Sequence, residues 1–283
     1  MNEIQKKVTQ FWDGRKITDY LRGELSLSAS LVKKVKFGGV FINNQNVHMR
    51  ALVKSGDTVL VKLPEESSEN IRPIPMPLDI IYEDEYLIAV NKQSGMPTHP
   101  SKGNNLPTLA EGIMAYFGGE GFVFRAINRL DRDTGGIVII AKDAHTANEL
   151  SKEMKAGGYV KRYVGLVCGI PSPSEGIINA PIERECEGNI KRVVREDGKF
   201  ALTEYKVTRI TEDNNAVCEI TLHTGRTHQI RVHMAHIGHP LYADFLYGKR
   251  VENESYRLHA KYIEFTHPKT KERIKLASKA DFE

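Results

Sequence analysis

NRLDRDTGGIVIIAK, residues 128–142, runs a charged loop directly into an apolar segment, and its reading decides the fold. GGIVIIAK is short, rich in β-branched residues and preceded by turn residues, which marks a buried strand. Asp131 and Arg129 therefore sit at the mouth of a core. A carboxylate flanked by Arg129 and Arg132, beside two glycines that allow close backbone approach, would be held ionised and ready to act as a nucleophile or base. Spacing alone is equally compatible with an ordinary turn held by ion pairs.

Working outward, DIIY (79–82), YLIAV (86–90) and VCEITL (217–222) are also short apolar runs bounded by turn signals, and such runs outnumber the helical stretches. They predict an α+β domain built on a mixed, largely antiparallel sheet. DAHTANELSKEMKA (143–156) predicts a scaffold helix capped by Asp143, with Ala147, Leu150 and Met154 at helical spacing and Gly157-Gly158 stopping it. TGRTHQIRVHMAHIGHPLYAD (224–244) predicts a second helix with Thr227 as N-cap, Ile230, Met234 and Ile237 on one stripe, and an end at Gly238 before Pro240. On it Arg231 lies about 100° from the stripe, where it could reach a carboxylate in a core-side pocket. His228, His233, His236 and His239 invite a metal reading, but there is no HExxH, His239 lies beyond Gly238, and no cysteine or acidic cluster completes a zinc shell. No metal is expected.

The 283 residues, 40% hydrophobic and 27% charged, suffice for one large and one small domain. The net charge of +4 is unevenly spread: residues 1–62 hold 11 Lys and Arg against 5 Asp and Glu, leaving the other 221 residues at −2. A basic module attached to a near-neutral body suits a polyanion partner, and on charge alone a solvated lysine-rich surface fits as well. Residues 30–37, SLVKKVKF, place Leu31, Val32 and Val35 on one helical arc with Lys33, Lys34 and Lys36 opposite. Gly38-Gly39 ends that helix, VFIN (40–43) and TVLVKL (58–63) read as strands, and residues 54–57 as a turn. The opening MNEIQKK reads as a polar lead-in. PEESSENIRPIPMP (64–77), with four prolines, reads as an extended linker, so the expected domains are 1–63 and 78–283.

No run approaches the roughly 20 apolar residues of a membrane span. Cys168, Cys186 and Cys218 form no CxxC pair and suggest neither disulfides nor a thiolate zinc site, so a cytoplasmic protein is expected. No Walker A loop occurs, and GGEGF (118–122) lacks the context of a dinucleotide fingerprint, so no nucleotide cofactor is expected.

Two resemblances give these features a direction. Residues 15–63, through Ser-x-Ser-x-x-x-Lys, then Gly-Val-Phe-Ile-Asn and Val-Lys-Ser-Gly-Asp-Thr-Val, resemble the S-four RNA-binding domain. Residues 78–268 resemble the RluA-type RNA pseudouridine synthases, through Arg-Leu-Asp with its Thr-containing turn and apolar strand, KRYVGLVCG (161–169) and the 224–244 stretch. DEYLIAVNKQSGMPTHP (84–100), ALTEYKV (201–207) and RLHAKYIEFTHP (257–268) agree in order. Many members have His where this chain has Asn128 and Ser where it has Gly135.

The second resemblance implies that Asp131 is the catalytic aspartate, Tyr163 the active-site tyrosine and Arg231 the basic partner of the aspartate. It also implies that Arg129 helps fill the gap left by a flipped nucleotide. Arg226 and His228 are expected to touch phosphate or hold the turn. The implied reaction breaks the bond from ribose to base nitrogen, turns the uracil and rejoins it through carbon five, so no cofactor is required. The implied partner is RNA, ribosomal before transfer RNA, met by a monomer. Two rivals stand beside this reading: a non-catalytic RNA-binding or ribosome-assembly protein, and a glycoside hydrolase using Asp131 and Asp133, whose closeness in sequence ill suits the roughly 5 Å or more such pairs need.

Overall fold

The computed structural model describes residues 3–25, 27, 29–63, 68, 71–101, 105–119 and 121–283. The chain divides into two compact units, Met1–Ser67 and Ser68–Glu283. Of the expected linker, residues 64–67, 69 and 70 lie outside the described residues. Residues 71–77, read from the sequence as linker, belong to the second unit, where the Ile74 N–H donates to the Glu111 carbonyl.

The first unit contains β1 (Glu3–Lys7), α1 (Ile17–Gly23), α2 (Ala29–Val35), β2 (Val40–Ile42), β3 (Gln45–Asn46) and β4 (Thr58–Lys62). Its four strands pair antiparallel in the order β1-β4-β2-β3. The expected helix-plus-hairpin unit is thus larger than the sequence suggested, because the MNEIQKK segment supplies an edge strand and α1 supplies a second helix. Ile17, Tyr20 and Leu21 on α1 are fully buried at i, i+3 and i+4, and Val35, Val40, Val59 and Val61 join the same core. α2 ends at Val35 rather than at residue 37; residues 36–38 form a turn in which Gly38 adopts φ +82. Lys33, Lys34 and Lys36 are exposed. The serines of the Ser-x-Ser-x-x-x-Lys pattern fall on residue 28, which lies outside the described residues, and on residue 30, whose side chain does.

The second unit contains β5 (Ile80–Glu83), β6 (Leu87–Lys92), α3 (Leu109–Tyr116), β7 (Arg125–Ala126), β8 (Gly135–Ala141), α4 (Ala144–Lys155), β9 (Val160–Val167) and β10 (Glu175–Asn179). It continues with β11 (Ile182–Arg184), β12 (Arg192–Val194), β13 (Leu202–Ile210), β14 (Ala216–Leu222), α5 (Gln229–His236), β15 (Leu258–Thr266) and β16 (Arg273–Ala277). A ten-stranded sheet runs in the order β10-β13-β14-β9-β15-β8-β6-β5, with β16 on β15 and β7 on β8. Its described pairings are antiparallel except for β15 with β8. The α+β class with a mixed, mostly antiparallel sheet is therefore what the chain adopts.

All seven residues of β8 are buried. Val138 and Ile140 pack with α3 and with Ile230 and Met234 of α5 on one face, while Ile137 and Ile139 pack with Leu150 of α4 on the other. The parallel junction explains the two glycines that open the strand. Gly136 has φ +110, and a Cβ there would lie 2.4 Å from the Ala260 carbonyl oxygen, so the backbones can meet only at glycine. A Cβ at Gly135 would lie 2.9 Å from His259 Nδ1, so a side chain there would require that ring to shift. α4 has the expected Asp143 cap, whose side chain accepts from the Thr146 N–H. α3 was not anticipated, although Thr108 and Glu111 form a complete capping box before it.

Candidate active site

The loop ahead of β8 is fixed residue by residue. Asn128 spans the strand backbone, donating to the Ile137 carbonyl and accepting from the Ile139 N–H, both at 2.9 Å. Thr98 holds both backbone groups of Leu130. Lys92, 1% exposed, donates to the carbonyls of Gln93, Met96 and Arg132 at 2.9, 2.7 and 3.0 Å. Burial lowers its ammonium to about 8, partly offset by the charges of Asp133 and Asp131. Ser94 donates to the Asp133 carbonyl, and Thr134 meets the Tyr256 hydroxyl at 3.2 Å. Each of these bonds satisfies a polar group that would otherwise be stranded near the core. The 84–100 segment is thus a clamp on the loop.

Between the clamped residues, the Asp131 side chain stays 32% exposed and faces a cleft of about 400 Å³. Tyr163 and Arg231 line the same cleft, as do Arg129, Arg226 and His228. Arg231 Nη1 lies 3.6 Å from an Asp131 carboxylate oxygen. The flanking arginines behave differently from the expectation: Arg132 turns away and forms a two-point pair with Asp133 at 2.9 Å, and Arg129 is exposed at the rim. Neighbouring side chains in a tight turn diverge, so the cation beside Asp131 comes instead from a helix 100 residues later.

Arg231 is itself immobilised. It is bound at two points by Asp244, which is fully buried, through Nε and Nη2 at 2.7 Å each. Asp244 also accepts from the N–H groups of Leu246 and Tyr247. The guanidinium lies over the rings of Tyr256 and Tyr247, 4.2 and 5.0 Å from their centroids. Burial opposes its charge, but the Asp244 bond, with Tyr256 and Asp131 nearby, overcomes that and raises it above the ordinary arginine value. Asp244 is the residue the sequence reading missed; only its place in a run of polar and aromatic residues after Pro240 distinguishes it in the sequence.

Tyr163 is buried, and burial first and the Asp131 charge second push its hydroxyl above the ordinary phenol range. A phenol held neutral in this way is a stacking platform and a poor base. His228 departs from expectation in two respects. It, and not the exposed Thr227, is the N-cap of α5, in a left-handed conformation at φ +58. Its ring also turns inward, with Nδ1 2.8 Å from the Tyr247 hydroxyl and Nε2 3.8 Å from Asp131. Arg226 remains at the surface, anchored on the Phe200 carbonyl. The histidines of this stretch serve separate partners: His233 of α5 meets Thr203 and the Ala180 carbonyl, and His239 beyond its end meets the Cys168 carbonyl. Among the described residues no group of three or more metal-binding side chains converges, and no helix is long and apolar enough to cross a membrane.

Comparison with known proteins places this sheet and its aspartate cleft in one family. Residues 86–236 match the RNA pseudouridylate synthase family. YjbO, an uncharacterised RNA pseudouridine synthase of Bacillus subtilis, is 40% identical over 259 residues, spanning 89% of this chain and 91% of that protein. The ribosomal large subunit pseudouridine synthase D of Xanthomonas campestris is 31% identical over 261 residues, spanning 86% of this chain and 78% of that protein. Among solved structures, human RNA pseudouridylate synthase domain containing 1 superposes with a TM-score of 0.62 at 26% identity, covering 73% of this chain and 85% of that one. The chain belongs to the RluA-type RNA pseudouridine synthases and is an isomerase that acts on uridine in RNA.

Proposed function

We propose that this enzyme isomerises uridines of ribosomal RNA and that Asp131 is its catalytic carboxylate. The observation that carries the assignment is the convergence of Asp131, Tyr163 and Arg231 on one cleft, with the arginine 3.6 Å from the carboxylate. Asp131 acts on the ribose, either adding to the anomeric carbon or removing the neighbouring C2′ proton. Both routes need the uridine outside its stack, which costs a few kcal/mol and favours loops and single strands. Tyr163 receives the flipped base, a contact worth roughly 1–3 kcal/mol. Arg129, exposed at the rim, occupies the gap the nucleotide leaves.

The ribosomal target rests on the relatives named for the large ribosomal subunit. The first unit serves as an S-four-type RNA-binding module whose Lys33, Lys34 and Lys36 supply salt-sensitive affinity for phosphate. Incubating the enzyme separately with unmodified ribosomal and transfer RNA, then mapping pseudouridine, tests the proposal. New pseudouridine is expected in ribosomal RNA, and none with Asp131→Asn. Modification confined to transfer RNA would overturn the target, and normal modification by Asp131→Asn would overturn the mechanism.

A further inference from the structure

The cleft contains a further cation, Lys161. Lys161 stands two residues before Tyr163 on β9 and lines the same cleft, whereas Arg162 between them points to the other face and lies over the Tyr262 ring at 5.1 Å. Lys161 is 9% exposed. Among the described residues it has neither an ion pair nor a hydrogen-bond acceptor for its ammonium, and burial lowers its proton affinity with no neighbouring carboxylate to offset the effect. Lys92, the other buried lysine among the described residues of this unit, donates instead to three backbone carbonyls. A buried cation without a partner is costly in a fold that serves no ligand.

The position of Lys161 points to its partner. Its Nζ approaches the Gly225 side of the cleft, 3.5 Å from where a Cβ on that glycine would sit. Asp131, Tyr163 and Lys161 all line this one cleft, and no ion pair joins the Lys161 ammonium to the carboxylate among the described residues. A nucleotide with its sugar at Asp131 and its base on Tyr163 would bring the carbonyl oxygens of its ring into the cleft that Lys161 lines.

We propose that Lys161 is a further catalytic residue that stabilises the uracil anion released when the glycosidic bond breaks. This rests on the reading of Asp131 given above. The C1′–N1 bond breaks with its electron pair remaining on the base, which becomes an anion delocalised over N1, C5 and the two carbonyl oxygens. The ammonium donates to one of those oxygens in a site from which water is largely excluded, where such a contact has its largest effect. The C5 carbon then bonds to C1′ as the Asp131 carboxylate leaves that carbon or returns the C2′ proton, the C5 proton leaves, and N1 takes up a proton, so the product is an isomer and both Asp131 and Lys161 end as they began.

The test uses the full-length enzyme and RNA bearing uridine or 5-fluorouridine at the modified position, in single turnover at saturating enzyme, following loss of the parent nucleoside by chromatography and mass spectrometry. Fluorine at C5 stabilises the detached anion by itself. Lys161→Met is expected to melt no lower than wild type, to bind RNA within about threefold of it, and to lose about a hundredfold in rate on uridine. Its deficit on 5-fluorouridine is expected to be at least about tenfold smaller, a difference of about 1.4 kcal/mol. A rate within about threefold of wild type on uridine, an equal deficit on both RNAs, or a loss confined to RNA affinity would each overturn the proposal. Asp131→Asn runs alongside: if it is inactive while Lys161→Met is normal, only the role of Lys161 falls, whereas an active Asp131→Asn removes the reading beneath it.

Discussion

The loop at 130–134 and the cationic helix α2 both present charge, but they are built in opposite ways. In the loop, Leu130, Arg132, Asp133 and Thr134 each have a hydrogen-bond partner from elsewhere in the second unit, and the Asp131 carboxylate faces the cleft. On and beside α2, Lys33, Lys34 and Lys36 are exposed and carry no ion pair among the described residues. Chemistry depends on one group held in one place, whereas attraction to a polyanion depends on several charges that need no fixed geometry. Substitutions in the two regions should therefore fail in different ways.

The largest effect is expected from Asp244→Ala, which strands the buried Arg231 charge. Loss of one member of such a pair costs about 3–5 kcal/mol, so melting should drop by about 6–20 °C and activity should vanish. Calorimetry beside turnover would check this, and a normal melting temperature would show that the pair is no keystone. Next comes Lys92→Met, which removes the donor from three carbonyls around the loop. With a loop displacement of about 1 Å the rate should fall about a hundredfold while RNA affinity is kept; a rate unchanged from wild type would mean that the loop is rigid without its clamp.

The triple substitution of Lys33, Lys34 and Lys36 by Gln should reverse that pattern. Single-turnover rate at saturation is expected to stay the same, affinity to weaken, and the dependence of log affinity on log salt to become shallower by about 2–3. A lost rate with unchanged salt slope would break the division of labour. The smallest effect concerns acid. Burial lowers His99, His228, His233 and His259 below the ordinary histidine value of 6.5. The unfolded chain therefore takes up these protons first, and stability should be full above about pH 6.5 and decline as pH falls through the lowered native values. A melting temperature independent of pH across about 5 to 7 would contradict this.

How much of this the sequence disclosed follows from the range of each interaction. β8, α4 and the α5 stripe were legible because periodicity and capping are local, and the family resemblance led to Asp131, Tyr163 and Arg231. β1 was not, since only Ile4 in it is even half-buried and an edge strand has no alternation to display. Asp244 and Lys92 reach the site through partners 13 and 40 residues away, Arg231 and the Arg132 carbonyl, which no local pattern announces. The left-handed His228 shifted the start of α5 by one residue, which a preference for Thr as N-cap could not reveal. α3 was different: its Thr108–Glu111 box is a local signal that the strand-rich context obscured.

The most direct measurement compares binding with chemistry in one preparation of Asp131→Asn, titrating RNA affinity and following pseudouridine formation in a single turnover. The account expects a dissociation constant within about threefold of wild type and a rate reduced at least about a thousandfold, or about 4 kcal/mol of barrier. Turnover at the wild-type rate would contradict it.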